Sequence, residues 1–129
     1  FVTLSPIQGF ARWLSETGVN AKSVDGKTLC ALGAYFLAQA KDRSGMPFDA
    51  VARFHLGNGA ILHQVHADAD RSEKGLGQSA GLMVNYLYDL GRVAQNHERF
   101  ATTGEVPTSP QVRALCAQAE KFLHMEKTA

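Results

Sequence analysis

The spacing of apolar residues along the chain predicts a helix-rich domain with few strands. Apolar positions recur with a helical period in five segments, residues 7–17, 27–41, 49–56, 75–100 and 110–124. Residues 1–4 and 60–66 are short apolar runs rich in β-prone side chains, which predict two strands, the first of them buried. Two strands this far apart do not form a stable sheet on their own, so the rest of the sheet is expected upstream of Phe1.

Proline and glycine positions mark where two helices begin and where one ends. Ser5-Pro6 and Ser109-Pro110 each place a capping residue before a proline, which is the usual signal for a helix N-terminus. Gly57-Asn58-Gly59 predicts the end of the third helix, since glycine and asparagine tolerate the left-handed conformation of helix C-termini. Because the chain opens on Phe1 and an apolar run, it is expected to be part of a longer protein.

Composition and charge exclude several classes of protein. The 129 residues are 45% hydrophobic and 19% charged, which is typical of one globular domain. A net charge of +1 argues against a strongly basic nucleic-acid-binding module or a polybasic membrane-binding patch. No apolar run approaches the roughly 18 to 20 residues of a membrane-spanning helix. Cys30 and Cys116 lie far apart within apolar helical patterns, which predicts reduced, buried thiols rather than a disulfide.

Two side chains stand where proton-transfer chemistry is possible, and each has a structural alternative. Ser5 lies where a strand is predicted to turn into a helix, and α/β active sites gather at the carboxyl ends of strands. A serine at such a junction is equally an ordinary helix cap. His55 precedes a glycine-rich turn, and an imidazole can exchange protons at neutral pH. Its alternative is a partly buried histidine with satisfied hydrogen bonds, and the residues alone leave both alternatives open.

Other candidate sites are weaker. His63 and His66 are three apart, so on a strand they face opposite sides and do not form a metal site. The glycine-rich residues 75–81 could hold a phosphate with backbone amides, but they are also typical of a helix that packs closely. Tyr86 and Tyr88 are two apart on the predicted helix and therefore face different directions, with Tyr86 in the apolar stripe and Tyr88 turned elsewhere.

Three long strings, in this order, resemble malonyl-CoA decarboxylases: TLSPIQGF at residues 3–10, VARFHLGNGA at 51–60 and SEKGLGQSAGLMVNYLY at 72–88. The resemblance implies a GNAT-like acyltransferase fold of mixed α+β or α/β type. Residues 1–129 would be the C-terminal part of the catalytic domain, without its upstream half and without the family's helical domain. The implied activity is decarboxylation of malonyl-CoA to acetyl-CoA and carbon dioxide. The implied catalytic pair is Ser5 as proton acceptor and His55 as proton donor.

The resemblance also implies how the substrate is held. Tyr88 would line the site, and Tyr88 and Asn58 are expected to orient the substrate or the catalytic pair. The reaction passes through a thioester enolate, and no metal, biotin or other cofactor is expected because the thioester carbonyl is itself the electron sink. The expected partner is malonyl-CoA, with a homo-oligomer in the full-length protein and neither nucleic acid nor membrane. The expected location is the cytoplasm.

Departures from the family pattern keep two other interpretations open. The segment between Phe10 and Val51 is shorter than is usual in the family, and Gln8 stands where the family has a proline. The expected upstream half would carry the main loop for the CoA pyrophosphate. The alternatives are an acyl-CoA-binding module that does not decarboxylate, and a non-enzymatic helical interaction domain.

Overall fold

A computed structural model of the chain describes the backbone of residues 1–128 and the side chains of residues 1–125. Its strands are β1 (Val2–Pro6), β2 (Ile61–His66) and β3 (Met83–Leu87). Its α-helices are α1 (Phe10–Glu16), α2 (Gly26–Ala38), α3 (Ala50–Gly57), α4 (Glu73–Ser79), α5 (Val93–Thr103) and α6 (Pro110–Thr128). A short 3-10 helix at Ala21–Ser23 precedes α2. The predicted fold class, helix-rich and mixed α+β with few strands, is confirmed.

The strands form one antiparallel sheet with β3 in the middle. The strand order is β1-β3-β2, with Leu4 opposite Asn85 and Val65 opposite Val84. Side chains alternate between the two faces of β3, and those of Val84 and Tyr86 are fully buried. The buried side chains of β3 therefore define an inner face of the sheet.

The prediction of one helix across residues 75–100 is wrong. The segment contains α4, the central strand β3 and α5. Ala80 and Gly81, which both have positive φ, end α4 and turn the chain into β3. Leu90, an apolar residue within the segment predicted as one amphipathic helix, is 89% exposed. Residues 83–87 satisfy a period of two as well as a helical spacing, and pairing with two neighbouring strands decides in favour of the strand.

The opening residues form an exposed edge strand and not a buried one. The strand β1 pairs with β3 on one side, and its other edge has no strand partner within the described residues. Leu4 is 55% exposed because its side chain lies on the outer face of the sheet, opposite Asn85. Ser5 lies inside β1, so the prediction that it caps a helix is wrong. The helix α1 begins at Phe10, after Gly9 turns the chain with a φ of 83°. Pro6 ends β1, where an edge strand tolerates a residue that has no N–H.

The other predicted helices correspond to α2, α3 and α6. Ser109 and Pro110 begin α6 as predicted, because the Ser109 hydroxyl accepts the N–H of Val112 at 3.1 Å. The same hydroxyl donates to the carbonyl of His63 at 2.7 Å, which ties α6 to β2.

The hydrophobic core lies between the inner face of the sheet and the helices. Its larger buried side chains are Ile7, Phe10, Leu14, Leu32, Phe36, Leu37, Leu56, Leu62, Leu82, Val84, Tyr86 and Val112. Cys30 and Cys116 are free thiols; Cys116 is buried as predicted, whereas Cys30 is half-buried. Burial raises the pKa of Cys116 to about 11. Within the described residues, the helices lack the length and apolar character that crossing a membrane requires.

Candidate active site

The helix α3 carries His55 and begins at a buried aspartate. Asp49 is 2% exposed, and its Oδ1 accepts the N–H of Val51 at 2.8 Å, which caps the helix. Burial raises the pKa of Asp49, and the bonds from Val51 and Ala52 oppose that rise. The cap fixes where α3 begins, and therefore where His55 lies one and a half turns later.

His55 contacts two tyrosines. Tyr86 lies within β3, and Tyr88 is the residue that directly follows β3. Nδ1 of His55 lies 2.6 Å from the hydroxyl oxygen of Tyr88. Its ring stacks on that of Tyr86, with centroids 4.5 Å apart and an interplanar angle of 25°. The prediction that Tyr86 and Tyr88 face different directions is wrong, because they lie two apart on an extended segment and therefore share a face.

Burial favours the uncharged form of both partners of the His55–Tyr88 hydrogen bond. It lowers the pKa of His55, since a charged imidazolium loses hydration there. It raises the pKa of Tyr88 for the same reason. When the Tyr88 hydroxyl donates to Nδ1, the imidazole proton resides on Nε2, the nitrogen turned away from the tyrosine. Within the described residues, no hydrogen bond occupies Nε2.

Ser5 shares the inner face of the sheet with these residues. It lies opposite Val84, and its neighbour on the same face, Thr3, lies opposite Tyr86. Ser5 is thus two residues along the strand, about 7 Å, from the position that faces Tyr86. No hydrogen bond in the described part of the chain joins Ser5 to His55. Direct or water-mediated contact between them stays a prediction.

Asn58 lies at the C-terminus of α3 and is turned back onto its own helix. Its Nδ2 donates to the carbonyl of Phe54 at 2.9 Å, and the residue is exposed. In this position its amide closes the helix end, which agrees with the predicted stop at residues 57–59. Its predicted role in orienting the substrate requires the side chain to leave this bond.

Sequence reasoning missed Asp49 and the place of Tyr86 beneath His55. The Tyr86 hydroxyl is buried without a hydrogen-bond partner among the described residues. Burial raises the pKa of Tyr86, and the nearby Asp49 carboxylate raises it further. A helix cap six residues before His55 was the signal available for Asp49. The alternation of Val84 and Tyr86 was the signal for the strand.

The weaker candidate sites have structural explanations. His66 Nε2 lies 2.6 Å from Oδ1 of Asn85, in a contact between β2 and β3. Among the described residues, no three His, Cys, Asp or Glu side chains are grouped so that they could hold a metal ion. Gly75 lies against Asp70, whose carboxylate a Cβ would meet at 2.2 Å, so this glycine permits close packing.

Comparison with known proteins identifies the family. The sequence profile described as the malonyl-CoA decarboxylase C-terminal domain matches residues 20–126. The chain belongs to the malonyl-CoA decarboxylase family. The matched range includes His55, Asn58 and Tyr88, and the resemblance seen in the sequence is confirmed.

Two animal relatives show how much of the family's length is present. The chain is 37% identical to the mitochondrial malonyl-CoA decarboxylase of Rattus norvegicus over 123 residues, which is 91% of the chain and 25% of the relative. It is 34% identical to that of Anser anser anser, over 92% of the chain and 23% of the relative. The chain therefore spans about a quarter of these relatives.

Solved bacterial structures share the fold. The malonyl-CoA decarboxylase of Rhodopseudomonas palustris superposes with a TM-score of 0.80 at 39% identity, over 89% of this chain and 33% of that one. The enzyme from Agrobacterium vitis gives a TM-score of 0.81 at 38% identity, over 89% and 35% of the two chains.

Proposed function

We propose that this chain carries the proton-transfer residues of a malonyl-CoA decarboxylase, a carbon–carbon lyase that forms acetyl-CoA and carbon dioxide. The observation that supports it best is the 2.6 Å contact between His55 Nδ1 and the Tyr88 hydroxyl. This contact fixes an imidazole on the same face of the sheet as Ser5, in a member of the decarboxylase family. In this proposal, residues 1–129 belong to a GNAT-like catalytic domain within a longer, homo-oligomeric, cytoplasmic protein.

The chemical step requires charge stabilisation followed by delivery of one proton. The bond between the malonyl carboxylate carbon and the α-carbon breaks, carbon dioxide leaves, and the electron pair moves into the thioester carbonyl to form an enolate. A hydrogen-bond donor directed at the developing oxyanion contributes about 3 to 4 kcal/mol. His55 in its imidazolium form then gives the Nε2 proton to the α-carbon, which produces the acetyl thioester and leaves a neutral imidazole, and the imidazole regains a proton from solvent.

The positions of Ser5 and His55 allow the malonyl thioester to lie between them. Ser5 lies on the inner face of the sheet, and the ring of His55 packs on Tyr86 of the same face, so this proposal places the reacting group between them. His55 acts as the proton donor in this arrangement. Ser5 acts as the proton acceptor, since its hydroxyl takes a proton from solvent as it passes its own to the imidazole, which restores the His55 imidazolium. Tyr88 orients the imidazole, and Asn58 contacts the substrate after its amide releases Phe54. The thioester carbonyl serves as the electron sink, so the proposed step uses no further cofactor.

Acetyl-CoA formation from malonyl-CoA by the purified protein tests this function. We expect His55→Asn and Ser5→Ala each to lower turnover about 100-fold or more, since a positioned acid contributes that much. Ser15→Ala, at an exposed serine on α1, serves as the matched control and should keep full turnover. Turnover that persists in His55→Asn would contradict the proton-donor role. CoA binding without any turnover in the unsubstituted protein would favour the non-decarboxylating module instead.

A further inference from the structure

The end of α3 that carries His55 is held by two side chains from the beginning of α5. Nδ1 of His97 lies 2.5 Å from the carbonyl oxygen of Gly57, the last residue of α3. Nδ2 of Asn96 donates to the carbonyl of Gly59 at 3.3 Å. These two carbonyls lie two and four residues after His55. Consecutive residues of α5 therefore bind the turn that directly follows the proposed proton donor.

The backbones of this turn and of α5 pack too closely for a side chain to lie between them. Gly59 is buried and has a φ of 91°. A Cβ at this position would lie 2.3 Å from the carbonyl oxygen of Val93, the first residue of α5. Both the backbone conformation and the close approach therefore require glycine. At this distance, a displacement of α5 would displace the turn as well.

The helix α3 is too short to hold its last turn by itself. It has 8 residues, and an isolated helix of fewer than about 12 residues is marginal in water. Its last four carbonyls have no partner inside the helix. Three of them accept backbone N–H groups of residues 58–60, namely those of Phe54, His55 and Leu56. The fourth, that of Gly57, is bound by His97, so the turn that bears His55 depends on α5 for this bond.

The bond between His97 and Gly57 forms in both protonation states of His97. A carbonyl oxygen only accepts, so Nδ1 carries the proton in the neutral ring, and an imidazolium carries a proton there as well. The side chain of His97 is exposed, so its contribution to the hydrophobic core is small. Its contact with α3 is therefore a directed hydrogen bond that does not break when the protein gains or loses a proton.

From these contacts we propose that His97 is a positioning residue, which acts through the Gly57 carbonyl to keep the imidazole of His55 within reach of Tyr88. The Tyr88 hydroxyl contacts Nδ1 of His55, and His97 follows Tyr88 by nine residues. One short segment thus contacts the ring of His55 and the end of its helix. A displacement of about 1 Å in a reacting group can cost about 100-fold in rate. The effect on turnover rests on the proposed function, whereas the placement of His55 does not.

Substitutions at His97 in the full chain test this role kinetically. His97→Ala removes the donor, and we expect it to lower kcat for malonyl-CoA about 10-fold or more and to change KM by less than about 2-fold. His97→Asn keeps an N–H donor near the place of Nδ1 and should restore kcat to within about 3-fold. Gln95→Ala, at an exposed residue of the same helix, is the matched control and should keep full turnover. Alanine favours helix, so neither alanine variant weakens α5 itself.

The nitrogen NMR signal of His55 Nδ1 tests the placement without any turnover, because it responds to whether this nitrogen accepts a hydrogen bond. Tyr88→Phe removes that bond and supplies the reference signal. We expect His97→Ala to move the signal towards that of Tyr88→Phe. His97→Asn and Gln95→Ala should leave it near that of the unsubstituted protein.

The outcomes separate this proposal from the proposed function. An unchanged Nδ1 signal in His97→Ala overturns the positioning role even if the protein forms acetyl-CoA. A loss of kcat that His97→Asn does not restore overturns it too, since the hydrogen bond would then not be the cause. A signal that moves in His97→Ala and returns in His97→Asn supports the role, also in a preparation that forms no acetyl-CoA. In that last case the proposed function fails, and His97 stands as the residue that places His55.

Discussion

The imidazole of His55 is held from two directions by residues of one strand segment. The ring of Tyr86 packs against its face, and the hydroxyl of Tyr88 contacts its Nδ1. A hydroxyl donates to a neutral imidazole and accepts from an imidazolium, so this contact persists in both protonation states. The ring therefore keeps its position while a proton enters or leaves at Nε2.

The lowered pKa of His55 links stability to pH. The unfolded chain, whose histidine titrates near 6.5, takes up the proton before the folded protein does. The free energy of unfolding therefore falls as pH drops through 6.5 and levels off below the folded-state pKa. Urea unfolding at about pH 7.5 and about pH 5 should show a smaller loss of stability in His55→Gln than in the unsubstituted protein. An equal loss of stability in both proteins would show that His55 does not contribute to the pH dependence of the free energy of unfolding.

The unpartnered hydroxyl of Tyr86 predicts a gain in stability on its removal. A buried polar group without a hydrogen bond costs about 1 to 3 kcal/mol. Tyr86→Phe keeps the ring beneath His55, so we expect the free energy of unfolding to rise by about 1 kcal/mol. Tyr35→Phe, at a half-buried tyrosine, is the matched control and should change it by less than about 0.5 kcal/mol. A lower stability of Tyr86→Phe in denaturant titrations would mean that the hydroxyl has a bonding role.

At the scale of elements, α3 depends on its N-terminal cap. Asp49→Ala removes the acceptor for the N–H groups of Val51 and Ala52, and should lower the free energy of unfolding by about 1 to 2 kcal/mol. Asp49→Asn keeps an oxygen at the cap and removes the buried charge, so it should stay within about 0.5 kcal/mol of the unsubstituted protein. Chemical denaturation of both variants measures the difference. Equal losses would assign the stability to the carboxylate charge and not to the cap.

The sequence correctly predicted those helix ends that depend on hydrogen bonds between residues close together in the chain. Ser109 and Pro110 begin α6, and Gly57 to Gly59 end α3, because capping hydrogen bonds act between near neighbours. The strand β3 could not be predicted in this way, since its apolar residues fit two periods. Its identity depends on pairing with β1 and β2, which are distant in the chain.

The residues of the candidate site likewise fall into those that the sequence predicted and those whose placement depends on long-range pairing. The family strings identified His55 and Tyr88, and the structure brings these two together. Tyr86 was misplaced because its direction depends on whether residues 83–87 are strand or helix. Ser5 was assigned to a helix cap by a local signal that β1 overrides, since pairing with β3 extends the chain through Pro6. Long-range pairing therefore determines the geometry that local patterns leave open.

At the scale of the whole molecule, one glycine sets how closely α2 approaches the sheet. A Cβ at Gly33 would lie 2.6 Å from Cδ1 of the buried Leu82. Gly33→Ala should therefore destabilise the protein by about 1 to 3 kcal/mol through overpacking, despite the higher helix propensity of alanine. Gly77→Ala, in α4 with open space around it, is the matched control and should stabilise by up to about 1 kcal/mol. Thermal unfolding of the two variants should therefore shift in opposite directions, and a shift in the same direction would contradict this account.

The edge strand β1 joins the two ends of a long stretch of chain, since the Asn85 side chain bonds the Thr3 carbonyl 82 residues away. Within the described residues, Ser5 is held in place by the pairing of β1 with β3 alone. His55 is positioned by α3, and Tyr88 follows β3, which pairs with β2 as well. Release of β1 alone would separate Ser5 from His55 without unfolding the core. We therefore expect the strand that carries Ser5 to open at a lower free energy than the pair of β2 and β3. Amide hydrogen exchange should be faster at the Tyr88 N–H, which bonds Phe1, than at the amides between β2 and β3.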